Sequence, residues 1–145
     1  MKTINSMSLT IESKSVNEAF ARAAVSAFAA QLDPTVEELS DIRTAVSEAV
    51  TNCIVHAYKE TLGNIYIKAT IDENGNFCVR IRDKGCGIAD IEKAKEPLFT
   101  TSDGERAGLG FAVMESFSDK LKVRSKVGKG TTVILYKKIS GRNDG

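Results

Sequence analysis

Four short stretches of this sequence hold residue types that could do chemistry. Glu48 and Asn52 stand four apart in an apolar-periodic segment, so a helix would stack them on one face. A carboxylate there can take a proton, and an amide oxygen can ligate a hard cation such as Mg²⁺; the plainer reading of the pair is a solvated helix face. Asp83 opens Asp83-Lys84-Gly85-Cys86-Gly87 and continues the inward register of Phe77, Val79 and Ile81. A carboxylate pointing at a core needs donors, which a purine amino group could supply. Gly85 and Gly87 allow a close backbone approach to a flat ligand, although a strand-ending turn would use the same residues.

Gly108-Leu109-Gly110 is expected to open a helix, where unpaired N–H groups and the positive dipole end suit phosphate. Gly130-Thr131-Thr132 enters the last strand, where Thr131 could assist a nucleotide. Better-known nucleotide motifs do not fit. Gly128-Lys129-Gly130-Thr131 lacks the P-loop spacing and precedes a strand. The segment from Gly108 lacks the third glycine of a dinucleotide fingerprint.

The elements that must position these residues follow from periodicity. Leu9 to Glu12 alternates as a short strand. Ser15 with Glu18 and Thr35 with Glu38 are capping-box signatures for two helices. The first helix is expected to bury Phe20, Ala24, Ala27, Phe28 and Leu32 and to end near Asp33-Pro34. The second buries Leu39, Ile42, Val46, Ala49, Val50 and Cys53, with His56 one turn beyond Asn52 on its polar line. Strands around Ile65–Ile71 and Phe77–Ile81 flank Asn74-Gly75, a type I′ hairpin signal. A short helix over Asp90–Lys95, an irregular stretch from Leu98 to Ala107, a helix from Gly108 to about Phe117, and strands at Leu121–Ser125 and Thr132–Lys137 complete the order. The result is an α+β two-layer sandwich, a mostly antiparallel sheet with helices on one face.

At 145 residues the chain fits one domain, with a core over about 8–138 and a polar C-terminal tail. Hydrophobic content of 42% and charged content of 27% are globular values. A net charge of +1 removes the simplest argument for nucleic acid or an anionic membrane, so neither is expected as a direct partner. No segment approaches the length of a membrane span or a secretory core, so a cytoplasmic location is expected. Cys53, Cys78 and Cys86 with the single His56 give no disulfide framework or zinc pattern.

Together and in this order, the four stretches resemble the nucleotide-binding boxes of the Bergerat ATP-binding fold. That superfamily includes gyrase, a heat-shock chaperone, histidine kinases and mismatch-repair ATPases. Ser47 to Asn52, Pro97-Leu98-Phe99-Thr100-Thr101, Gly108 to Phe111, and Phe20-Ala21-Arg22 with Gln31 to Pro34 resemble the sporulation anti-sigma-F factors, which are also serine kinases. The resemblance implies ATP and ADP as ligands, with Asn52 on Mg²⁺ and Asp83, with Gly85 and Gly87, around the adenine. It further implies a lid over 97–110 lined by Thr100, Thr101, Gly108, Leu109 and Gly110. Glu48 would orient or deprotonate the attacking serine and Arg106 would neutralise the γ-phosphate. Glu18 and Arg22 would face the partners, a sigma factor and an anti-anti-sigma substrate, and a homodimer is expected. A kinase for a general-stress sigma factor and a nucleotide-gated binding protein without kinase activity are the alternatives.

Overall fold

The computed structural model describes residues 2–59, 61–88 and 104–141, residues 104–109 by their backbone alone. Strands β1 (Thr3–Glu12), β2 (Asn64–Asp72), β3 (Asn76–Arg82), β4 (Lys120–Lys126) and β5 (Gly130–Lys138) form one sheet in the order β1-β2-β3-β5-β4. Every pairing is antiparallel. Helices α1 (Val16–Ala29), α2 (Val36–Asn52) and α3 (Gly104–Ser116) supply the second layer. The expected α+β sandwich is the observed one. The expected helix over Asp90–Lys95 lies outside the described residues.

Strict alternation places Ile65, Ile67, Ala69 and Ile71 of β2, and Phe77, Val79 and Ile81 of β3, in the core. There they meet Ile42, Val46, Ala49 and Val50 of α2, and Phe111 and Met114 of α3. Thr35 caps α2 as its sequence foretells. Its Oγ1 accepts from the Glu38 N–H at 3.0 Å, and Glu38 Oε1 accepts from the Thr35 N–H at 2.9 Å.

Several local expectations need correction. β1 begins at Thr3, six residues before Leu9, because cross-strand bonds to β2 continue where the side-chain pattern is polar. Ser15 does not cap α1 with its side chain; its backbone is helical (φ −58°, ψ −31°) rather than extended as capping geometry requires. α1 buries Ala21, Val25, Ser26 and Ala29, whereas Phe20 is 53% exposed. Small residues on this face let α1 pack closely on α2. The β2–β3 hairpin forms, but only Gly75 has a positive φ (81°) while Asn74 does not, so the turn is not type I′. The Gly75 N–H closes on the Asp72 carbonyl at 3.2 Å, and Glu73-Asn74-Gly75 makes a three-residue connection with glycine in the left-handed position.

Candidate functional site

Glu48 and Asn52 occupy the last turns of α2, both half-buried on the face toward α3. A Cβ built on Gly110 would lie 3.1 Å from Oδ1 and from Nδ2 of Asn52 and 3.4 Å from Oε2 of Glu48. The absent side chain of Gly110 is what lets α3 approach these two polar groups. Oδ1 and Nδ2 of Asn52 are buried without a hydrogen-bond partner among the described residues. An orphaned buried amide costs free energy, and its oxygen is a ready acceptor for a hard cation. The Asn52 oxygen would suit such a cation as one ligand, with phosphate and water supplying the rest. Among the described residues no cluster of three or more His, Cys, Asp or Glu could hold a metal instead.

α3 begins at Gly104, a full turn before Gly108, so Gly108-Leu109-Gly110 lies within the helix rather than at its first turn. Glu105, Arg106 and Ala107 are good helix formers and extend the helix backwards. Gly110 thus acts by close approach, not by offering a helix N-terminus. Thr100 and Thr101 lie outside the described residues, as do the side chains of Arg106 and Leu109.

Beyond Asn52 the helix widens. Residues Cys53–Ala57 form a π-helical turn, closed by the Tyr58 N–H on the Cys53 carbonyl at 3.1 Å. Regular winding to His56 is thereby replaced by a wider turn. The carbonyl of Ala57 accepts from the Cys86 N–H at 3.2 Å, joining this turn to the loop after β3. Gly85 packs so close that a Cβ would stand 2.4 Å from that carbonyl, and Gly87, at φ 78°, turns the chain against the backbone of Lys126.

Asp83 is 5% exposed and holds its inward register. Its Oδ1 accepts from the N–H of Gly85 at 2.9 Å and of Thr131 at 3.1 Å, and its Oδ2 accepts from the thiol of Cys53 at 3.5 Å. Burial raises the Asp83 pKa, and the bonds from Gly85, Cys53 and Thr131 partly restrain that rise. Oδ2 still has acceptor capacity for a ligand amino group. Burial, and then the charge of Asp83, push the Cys53 thiol well above its usual range, so it remains a donor.

Thr131, read from the sequence as a nucleotide helper, holds Asp83 through its N–H and meets the Ser125 hydroxyl at 2.8 Å. Sequence reasoning missed three supports: Cys53, Ser125 and Tyr58. Ser125 Oγ accepts from the Ile88 N–H at 2.7 Å. Tyr58 accepts from the Lys84 N–H at 2.6 Å and donates to the Asn64 carbonyl at 2.8 Å, bracing the Asp83 turn against β2. The register pair Ser125 with Thr131 would have exposed the Ser125 role once the β4–β5 hairpin was aligned.

On the other side of Glu48, Ser47 donates its hydroxyl to the carboxylate of Glu18, which also faces Arg22 at 3.7 Å. An open cleft lined by Arg22, Arg43, Thr44, Ser47 and Glu48 runs between α1 and α2. The structure therefore brings Glu18 and Arg22 to the mouth of the Glu48 site, and Asp83, Gly85 and Thr131 to its opposite end.

Comparison with known proteins places the chain in a family. Residues 11–137 match the family model described as a histidine kinase-like ATPase domain. A relative named anti-sigma F factor, from Caldanaerobacter subterraneus subsp. tengcongensis, is 57% identical over 144 residues, 99% of each chain. Another of that name, from Geobacillus thermodenitrificans, is 50% identical over 94% of each chain. A crystal structure of the RsbU and RsbW domains of a Mycobacterium tuberculosis protein superposes with a TM-score of 0.69 at 20% identity. It covers 93% of this chain and 32% of that one, which supports the fold. A histidine kinase domain from Erythrobacter litoralis superposes at 0.58, covering 85% of this chain and 61% of that one. On the match along nearly its whole length, the chain belongs to the anti-sigma F factor family of histidine kinase-like ATPases.

Proposed function

We propose that this protein is an ATP-dependent serine kinase that phosphorylates an anti-anti-sigma factor and that also binds and inhibits a sporulation sigma factor. The observation that carries this reading is the convergence of the Glu48 carboxylate and the unpartnered Asn52 amide on Gly110 of α3. Asn52 would hold Mg²⁺ through Oδ1, and the ion would neutralise charge on the phosphates. Asp83 would accept from the adenine amino group, with Gly85 and Gly87 shaping the pocket wall.

Glu48 would orient the serine hydroxyl of the partner and take its proton as Oγ bonds to the γ-phosphorus. The bond from phosphorus to the bridging oxygen breaks, and ADP leaves. Thr100, Thr101 and Arg106, with Gly108 and Leu109, would close over the phosphates. Glu18 and Arg22, at the cleft mouth, would contact the protein partners. The protein acts in the cytoplasm as a homodimer.

The test is transfer of labelled γ-phosphate from Mg·ATP to an anti-anti-sigma protein, with Glu48→Gln alongside. The kinase reading expects acid-stable label on serine and a loss of about 10²–10⁴-fold in the variant. Free phosphate alone would indicate an ATPase. ATP binding with neither product would leave a nucleotide-gated binding protein. Partner preference between a sporulation and a general-stress sigma factor identifies which the protein restrains.

A further inference from the structure

The near-neutral total, 20 basic against 19 acidic residues, conceals a segregation of charge. The helices cover one face of the sheet; the other is open to solvent, and three cross-strand rows on it contain no carboxylate. One row runs Ser8, Lys68, Arg80, Ile134, Lys122. The next runs Thr10, Tyr66, Arg82, Thr132, Arg124. The third runs Ser6, Thr70, Cys78, Tyr136, Lys120. Lys68, Arg80, Arg82, Lys122 and Arg124 are all exposed, and among the described residues none has a carboxylate within ion-pair distance. A merely solvated face would intersperse both signs.

The pattern within this face is specific. β4 presents a cation at every second position, Lys120, Lys122, Arg124 and Lys126, along an edge of the sheet. Edge lysines discourage strand pairing between molecules, and that alone would explain β4. It does not explain Arg80 and Arg82 on the interior strand β3. Between these two basic rails lies β5, whose outward residues Thr132, Ile134 and Tyr136 are uncharged and half-buried. Two strand spacings put the rails about 10 Å apart. The Nζ atoms of Lys120 and Lys122 lie 6.0 and 5.7 Å from the Tyr136 ring centre, so the ring and the cations are contiguous.

We propose that this open sheet face binds single-stranded nucleic acid, its phosphates on the β3 and β4 cations and its bases against the Ile134–Tyr136 strip. An open sheet face that sets a tyrosine ring and an apolar neighbour between basic residues serves a ligand that is both anionic and flat-faced. An acidic protein segment would use the rails but not the strip. The site is on the sheet face opposite the helices and makes no use of Glu48 or Asn52.

Fluorescence anisotropy of labelled dT20 and rU20, titrated with the full-length protein in low salt, tests the proposal. Binding of either strand is expected, and which binds more tightly distinguishes DNA from RNA as its source. The Lys122→Glu/Arg124→Glu variant should weaken binding at least tenfold. Its slope of log affinity against log salt should be shallower by about 1.4, at about 0.7 for each lost phosphate contact. Tyr136→Ser should weaken binding by about tenfold with the salt slope unchanged. ATP binding should be unaltered in both variants, which reports on folding. Absence of binding by either strand, equal competition by poly-glutamate of matched charge, or indifference to Lys122→Glu/Arg124→Glu would each overturn the proposal; the poly-glutamate result would assign the face to an acidic protein.

Discussion

The thiol of Cys53 donates to the Oδ2 oxygen of Asp83 at 3.5 Å, joining the end of the α2 helical segment to the end of β3 inside the core. Cys53→Ala removes one of the donors on a buried carboxylate. We expect a loss of about 1–3 kcal/mol in urea unfolding, the cost of stranding part of a buried polar group. Cys53→Ser, which keeps a donor, should recover part of it.

Asp83 gives a pH signature of its own. Burial raises its folded pKa above the ordinary 3.8, so the folded state holds the proton more tightly than the unfolded chain. Its contribution to stability is therefore greatest below that value and declines as pH rises through the folded pKa. Asp83→Asn lacks this titration, and the difference between wild-type and variant stability curves should fall in that direction. The same variant turns an amide donor toward the expected adenine amino group. Calorimetric ATP affinity should drop by about 1.5–3 kcal/mol, the worth of a charged hydrogen bond.

Gly110→Ala separates folding from function. Alanine in a helix interior is better than glycine by about 1 kcal/mol. At this position the new methyl would press on the Asn52 amide and the Glu48 carboxylate. Thermal stability should be held near wild type while phosphoryl transfer falls by an order of magnitude or more. A variant with full transfer activity would show that the approach of α3 to α2 is not required.

Glu38 carries stability at the opposite end of the pH scale. Burial opposes its charge, but the N–H groups of Thr35, Ser140 and Gly141 outweigh burial and hold its pKa below the ordinary 4.5. Its stabilisation is present above that value and is lost as pH falls through the folded pKa. Glu38→Gln should flatten this acid limb and cost about 1 kcal/mol at neutral pH, read from urea unfolding. Because Glu38 Oε2 also accepts from the Ser140 N–H at 2.7 Å, the variant should speed hydrogen exchange at residues 140 and 141.

The sequence was most informative where side-chain alternation and burial coincide. The inward residues of β2 and β3, the stripe of α2 and the inward carboxylate of Asp83 could all be read from spacing. α1 was misread because its buried face is made of Ala21, Val25, Ser26 and Ala29, while the bulky Phe20 faces solvent. Hydrophobic size signals burial poorly where two helices pack closely on small residues. The early start of α3 was hidden by Gly108 and Gly110, whose low helix propensity is overridden by the good helix formers before them and by packing against α2. Cys53 read as an apolar stripe member, and only tertiary structure revealed its polar duty.

The wide turn after Asn52 is an insertion in the winding of the chain. Five residues, Cys53–Ala57, make a turn that regular α-helix would complete with fewer. Wound as regular helix, the same five residues would overshoot that turn by about one residue. Everything beyond would then rotate by about 100°. The Ala57 carbonyl would leave the Cys86 N–H, and Tyr58 would leave Lys84 and Asn64. The wide turn absorbs the extra residue and so sets the phase between two parts of the proposed nucleotide site, the Glu48–Asn52 pair and the Asp83 loop; a change that tightened it to regular helix without removing a residue would put them out of step without touching either.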